Sequence, residues 1–535
     1  MFTGFKSPCD EGVIKAAASV EPCSKQVGRW VLAATIIGSS IVFIDGAVVN
    51  VALPVLQQQL NATITDVQWV VEAYALFLAA LILVGGALGD HFGRRRIFAL
   101  GIAIFGAASV YCGLASSVSH LIFARAIQGV GGALLVPGSL AIISAFFPGE
   151  QRGRAIGLWS GFTSVTAGLG PALGGWLIGH FSWRWAFFIN VPLVIGVLAI
   201  LLFRVPESKD AREKRNLDWL GAAAATIGLG TVVYALVESN IRGLGDPFIL
   251  AAMAAGVLIL AGFIVIEHFS SHPMMPLQLF RSWTFTGANL LTLMLYAALS
   301  AAFFFLPFYL IQIRHYSTTA AGSALIPFIL IMFALSRWAG GLINQYGAKL
   351  PLIVGPVIAS AGLGLFAVSP NESGYWKSVF PAVTVLGLGM VISVAPLTTT
   401  VMNSVSVEFS GIASGINNAV SRTAGLLAIA VLSIVILNTY GTNLDRRMAA
   451  LNLSEETKAM MDQQKIKLAA TEIPAVVDPS ERSKLIEVRD GSFVSAYRSV
   501  MYILMGLALC AAAFALFMIK GNGSEVRKKQ STPEL

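Results

Sequence analysis

Hydrophobic stretches of bilayer-spanning length recur along almost the whole chain, and most connectors are so short that each helix must turn straight back. A hydrocarbon core about 30 Å thick needs about 20 apolar residues to cross it. Lipid offers no partner for backbone N–H and C=O groups, so each crossing must hydrogen-bond itself as a helix. Fourteen spans are expected, near 30–52, 67–89, 97–117, 119–141, 155–178, 187–203, 218–237, 247–267, 284–311, 319–342, 351–369, 379–403, 412–438 and 497–519. Hydrophobic residues make up 56% of the chain and charged residues 12%, which a soluble core could not hide. The fold class is an all-α polytopic membrane protein.

The net charge of +8 reports topology rather than nucleic-acid binding. Arg94, Arg95, Arg96, Arg152, Arg154, Arg204 and Lys209 fall on one side with both tails, whereas the other side's short loops hold only Arg184, Arg242, Arg314 and Lys377. Positive residues stay inside, so both termini are expected in the cytoplasm of a cytoplasmic (inner) membrane. The basic outer loop 440–496 is exempt, because long loops cross largely regardless of charge. Within it Ser454 is expected to cap a polar helix, with Pro474 and Pro479 breaking structure afterwards, as a solvated hairpin or lid. The N-terminus up to Gly28 is too polar for a cleaved secretory signal. Cys9, Cys23, Cys112 and Cys510 have no metal-ligand spacing, and the six histidines form no cluster with a nucleophile. No enzyme activity, metal or organic cofactor is implied.

The chain also repeats itself. Gly86-Ala-Leu-Gly-Asp-His-Phe-Gly93 is echoed 254 residues later by Gly340-Gly-Leu-Ile-Asn-Gln-Tyr-Gly347, and Gly153-Arg-Ala-Ile-Gly157 is echoed 258 residues later by Gly411-Ile-Ala-Ser-Gly415. A duplicated six-helix unit with two extra helices explains both offsets. The expected organisation is a tail (1–29), a first six-helix bundle (30–203), a charged linker with two extra helices (204–270), a second bundle (271–519, with loop 440–496) and a second tail (520–535). Paired bundles suit a transporter with its site where they meet.

Ionisable groups inside a membrane are costly and usually functional. Asp45, Glu72 and Arg125 each lie roughly 8–10 Å from the outer end of their span, at a rise of about 1.5 Å per residue. At that common depth two carboxylates can share one guanidinium. Arg125 favours an ionised neighbour and burial favours a protonated one, so alternate exposure can load and unload a proton. A permanent buried ion pair that fixes helix packing is the rival explanation. On the inner side, Gly86, Asp90, Gly93 and Arg94 fit a tight turn with a breakable charge contact at an inner gate. In the fifth span Gly161, Gly170, Pro171, Gly174 and Gly175 fit a bent, closely packed helix. Phe303, Phe304, Phe305, Phe308 and Trp338 face a greasy pocket or lipid, and Trp183 and Trp185 fit an interfacial belt.

These segments together resemble the major facilitator superfamily, in its fourteen-helix drug:proton antiporter branch. Phe43-Ile-Asp45-Gly-Ala-Val-Val-Asn50 looks like the branch's first-helix motif, Gly86 to Arg96 like the superfamily's loop motif, and Gly161 to Gly175 like the antiporter motif. Arg125-Ala-Ile-Gln128-Gly129 is similar to the fourth-helix motif, and Trp183 to Pro192 is also typical. The resemblance implies two six-helix bundles plus two additional helices, and a proton-driven exporter of lipophilic, cationic or neutral compounds using alternating access. Asp45, Glu72, Arg125 and Gln128 would then couple proton to substrate. The tenth span holds no acidic residue, which argues against a strongly dicationic cargo. Some branch members work with a periplasmic adaptor and an outer-membrane channel. An uptake symporter and a non-transporting membrane sensor or scaffold are the alternatives to export.

Overall fold

A computed structural model of the chain describes residues 25–147, 149–208, 218–270, 273–369, 374–406, 409–451, 453–471, 473 and 479–520. Cys9, Cys23, most of both tails, most of the 204–216 connector and Pro474 fall outside them. Among the described residues every regular element is helical. The long helices are α1 (Lys25–Gln59), α2 (Ile64–Phe92), α3 (Arg94–Gly113), α4 (Val118–Phe146), α5 (Gly149–His180) and α6 (Asn190–Arg204). They continue as α7 (Trp219–Arg242), α8 (Pro247–Phe269), α9 (Trp283–Phe308), α10 (Ile326–Tyr346), α11 (Lys349–Val368), α12 (Tyr375–Asn403), α13 (Ser410–Met448) and α14 (Pro479–Met518). Thirteen helices among the described residues are long and apolar enough to cross a bilayer. The 32-residue α5, which occupies the expected fifth span, brings the count to fourteen.

The main departures lie at the outer face. α13 continues to Met448 and α14 begins at Pro479, so the 440–496 loop shrinks to its middle. Pro479 opens a helix instead of breaking structure, because a first-turn proline has no intrahelical N–H to lose. Ser454 caps as expected, its Oγ accepting from the Thr457 N–H at 3.2 Å. The loop is tied down rather than loose. Lys467 donates to Asn61 Oδ1 at 2.7 Å, its carbonyl accepts from Gln57 Nε2 at 3.1 Å, and the Tyr440 hydroxyl donates to the Leu468 carbonyl. Lys465 bridges Asp445 and Asp462 at 2.5 and 2.7 Å. Burial works against its charge, but the two carboxylates outweigh that and hold its pKa above the ordinary lysine value. Two aromatic expectations also change. Trp183 is core at 1% exposure, and Phe304, Phe305 and Phe308 are buried in protein rather than turned to lipid.

The chain divides into two compact units, one of residues 1–52, 70–230 and 258–274, the other of 53–69, 231–257 and 275–535. In the first unit α3 meets α4 backbone to backbone. A Cβ on Gly101 would lie 2.9 Å from the Gly131 carbonyl oxygen, and one on Gly131 would lie 2.9 Å from that of Gly101. In the second unit α11 and α12 repeat the arrangement, Gly355 against the Gly389 oxygen at 2.9 Å and Gly389 against that of Gly355 at 2.7 Å. These positions are 254 and 258 residues further along, the same two offsets as the sequence echoes. A second pair obeys the same rule: Gly129 lies against the backbone of Tyr74, and Gly387 against that of Phe328. The duplication is therefore present in the packing as well as the sequence.

Candidate functional site

The site grows from one arginine in α4. Arg125 is 1% exposed, too deep to reach water, so each of its donors needs a partner within the protein. Nη1 donates to Asp45 Oδ2 of α1 at 2.5 Å and to Gln128 Oε1 at 2.6 Å, while Nε donates to the Val70 carbonyl of α2 at 3.0 Å. The guanidinium also lies 4.3 Å from the centre of the Tyr74 ring, a cation–π contact. Side chains and backbone of α1, α2 and α4 thus converge on one charge.

The carboxylate is held as fully. Asp45 Oδ1 accepts from Gln128 Nε2 at 2.8 Å and from Asn190 Nδ2, at the start of α6, at 3.0 Å. Ser109 Oγ of α3 accepts from the same two amides at 2.9 and 3.3 Å. Asp45, Gln128, Ser109 and Asn190 are all fully buried. Of the residues expected from sequence, the structure brings Asp45, Arg125 and Gln128 together. Glu72 is also fully buried, but it stands two residues from Tyr74, and side chains at that spacing leave a helix on different faces. Leu76, one turn further on and on the Glu72 face, meets Gly230 of α7. Asp45 supplies the cluster's carboxylate.

Ser109, Tyr74 and Asn190 escaped the sequence reading. None is ionised at neutral pH, so a search for intramembrane charge passes over them. The signal for Asn190 was an amide breaking the run Phe187-Phe-Ile-Asn190-Val-Pro192. Arg422 in α13 was also missed, although it stands ten residues inside its span.

The repeat shows what the fold itself demands here. The positions corresponding to Ser109, Arg125 and Gln128 are Leu363, Val383 and Leu386, all buried to 2% exposure or less, and Tyr74 corresponds to Phe328. The second copy packs the same seam with hydrocarbon. Buried ion pairs can often be replaced by apolar residues without loss of stability, and the second copy packs the corresponding positions without charge.

A family model described as the Major Facilitator Superfamily matches residues 35–429. The chain belongs to the Major Facilitator Superfamily. It is 31% identical over 511 residues to the tetracenomycin C resistance and export protein of Streptomyces glaucescens, covering 94% of each chain. It is 35% identical over 413 residues to the puromycin resistance protein of Streptomyces alboniger, covering 76% of this chain and 81% of that one. A multidrug resistance protein of Mycobacterium tuberculosis is 32% identical over 406 residues, 76% of this chain and 75% of that one. Among solved structures, a bacterial homologue of the human lysosomal transporter Spinster superposes with a TM-score of 0.63 at 18% identity, covering 94% of this chain and all of the other. That likeness is one of fold. As superfamily members go, this is a transporter and not an enzyme. Among the described residues no group of His, Cys, Asp and Glu could hold a metal ion.

The superfamily's loop motif is built as a charge-capped turn. Gly93, at φ +112°, lies in a region that side chains avoid, and it aims the N-terminus of α3 at Glu207. The Glu207 carboxylate accepts from the Arg95 and Arg96 backbone N–H groups at 2.9 and 3.2 Å, where the helix dipole favours an anion. Arg94 Nε donates to Asp90 at 2.8 Å. Gly86 makes only ordinary contact with Pro137, and the close approach falls one residue earlier, where a Cβ on Gly85 would strike the Ala133 carbonyl. In α5, a Cβ on Gly170 would lie 2.7 Å from Ala47 and one on Gly174 would lie 3.0 Å from the Val48 Cα, both on α1. Pro171 and Gly175 are buried beside them, while Gly161 faces open space.

Proposed function

We propose that this protein is a proton-coupled efflux transporter, exporting lipophilic drug-like compounds across the cytoplasmic membrane by alternating access, with both termini in the cytoplasm. The observation that carries the reading is the buried Asp45–Arg125–Gln128–Asn190 cluster, whose arginine and glutamine give way to valine and leucine in the other repeat. The relatives' names, which include resistance to tetracenomycin C and to puromycin, support export of toxic organic molecules.

The cluster is suited to hold or release one proton. With Asp45 ionised, its two oxygens and the Arg125 guanidinium satisfy each other. Protonating Asp45 Oδ1 turns an acceptor into a donor, which then needs an acceptor of its own. Asn190 Oδ1 is buried without a hydrogen-bond partner among the described residues, and a half-turn of its amide would present it to that new O–H. The same protonation leaves the Arg125 charge without a counter-charge, a costly state in low dielectric, which favours rearrangement of α1 and α4. Proton entry from outside and release inside would then power outward movement of cargo. Asp45 is fully enclosed, so the cationic preference expected from an open carboxylate has little to rest on, and hydrophobicity is the property we retain. Asp90 and Arg94 form the contact that breaks at the inner gate, and α5 flexes or seals against α1.

Everted membrane vesicles test this directly. Adding substrate to vesicles with an acidified lumen should release protons, an uncoupler should abolish substrate accumulation, and Asp45→Asn should abolish both. An uptake symporter would move protons and cargo together. Unchanged fluxes in well-expressed Asp45→Asn and Arg125→Ala would instead favour the sensor or scaffold.

A further inference from the structure

Arg422 stands on α13 ten residues beyond Ile412, roughly 15 Å along the helix at about 1.5 Å per residue. That is near the middle of a bilayer, too deep for its side chain to reach either surface. It is partly exposed, and Asn418, one turn before it on the same face, is exposed. A charged and an amide side chain at that depth face water or protein rather than lipid. This face of the second unit is therefore turned away from lipid.

Among the described residues Arg422 takes part in no ion pair, whereas Arg125 in the first unit is neutralised by Asp45. Neither Asp nor Glu occurs anywhere in α9, α10, α11 or α12. The α9 face packed on α13 beside Arg422 is polar and neutral. Asn289, Thr292, Tyr296 and Ser300 follow one another at spacings of three, four and four, so they form one stripe along α9. Asn417 of α13 donates to Asn289 at 3.1 Å and to Thr292 at 2.7 Å, Arg422 lies within electrostatic range of the Tyr296 phenol, and Gly425 packs on Ser300. The amides are used up in that seam. The guanidinium and the phenol remain.

We propose that Arg422 and Tyr296 form a subsite of the second unit that binds the carboxylate of an amphipathic organic substrate. A planar fork of donors takes a carboxylate two bonds at a time, and a phenolic O–H adds a third. The inference rests on the efflux reading for its physiological meaning, but binding can be measured without transport.

The test uses the purified full-length protein, with anthracene-9-carboxylate and its methyl ester as probes, in a chloride- and carboxylate-free methanesulfonate buffer. The acid should raise the unfolding temperature of the wild type more than the ester does. Arg422→Gln should lose the response to the acid, keep that to the ester, and keep the unliganded unfolding temperature. Arg422→Lys, which retains charge without the fork, should bind the acid at least tenfold more weakly than wild type. Equal protection by acid and ester, no protection by the acid, or full protection of Arg422→Gln by the acid would overturn the proposal. Protection by chloride alone that the acid cannot exceed would also overturn it, since the site would then serve an inorganic anion. In everted vesicles, uncoupler-sensitive export of the ester by the wild type, abolished in Asp45→Asn, reports on efflux separately. Its absence would count against the transport reading and leave the binding result standing.

Discussion

Arg125 engages one carboxylate, one side-chain amide, one backbone carbonyl and two aromatic rings, Tyr74 and Phe187, drawn from α1, α2, its own helix α4 and the turn before α6. Lysine could not reproduce that pattern, because an ammonium lacks the flat, forked donor set. Replacing Arg125 alone by valine strands Asp45 in a dry interior, and breaking a buried pair in this way costs about 3–5 kcal/mol. The second repeat supplies the remedy. A quadruple variant, Asp45→Leu with Ser109→Leu, Arg125→Val and Gln128→Leu, should recover most of the stability lost in the single variant while transporting nothing. Thermal unfolding in detergent beside vesicle flux decides it; a quadruple variant as unstable as Arg125→Val would mean that the fold does need the charges.

At the scale of the helix, what a glycine contributes depends on what lies against it. Gly174 lies against the α1 backbone at Val48, where a larger side chain must push the two helices apart. Gly174→Val should cost about 1–3 kcal/mol by overpacking and collapse export. Gly161 meets nothing within 4 Å, so Gly161→Ala should be neutral in flux and should stabilise α5 by about 0.5–1 kcal/mol through helix propensity. Unfolding midpoints and export rates of the two variants check both statements. Much of the architecture was legible because lipid allows so few solutions. Span length alone located the helices, and the intramembrane charges Asp45 and Arg125 announced the site. Helix ends at the outer face were not legible, since α13 and α14 run on as polar helices once they leave hydrocarbon and hydropathy no longer marks them. Asn190 and Ser109 were hidden for another reason. A neutral polar side chain in a span has many fates, and only its neighbours across the fold reveal which one it has. Glu207 shows the same limit in a connector, where one carboxylate among several charges caps α3.

For the molecule as a whole, the outer loop adds a docked segment to the duplicated frame. Lys465 is held above its ordinary value of 10.5, so its contribution to docking is fully present below that value and disappears only as pH rises through the higher, folded-state value. Protease protection of 465–471 should accordingly be constant from neutral to mildly alkaline pH and fall in strong alkali. Loss of protection near neutrality would contradict the bridge to Asp445 and Asp462. The two repeats share a glycine seam at Gly101–Gly131 and Gly355–Gly389, yet in the first the buried ion pair of Asp45 and Arg125 lies beside it, where the second has Val383 and Leu386. If the proposed proton cluster and the proposed carboxylate subsite divide in this way, the asymmetry has an evolutionary consequence. Mutations that retune recognition in one copy would then leave energy conversion in the other undisturbed, so lineages built on this plan would acquire resistance to a new toxin without reinventing their motor.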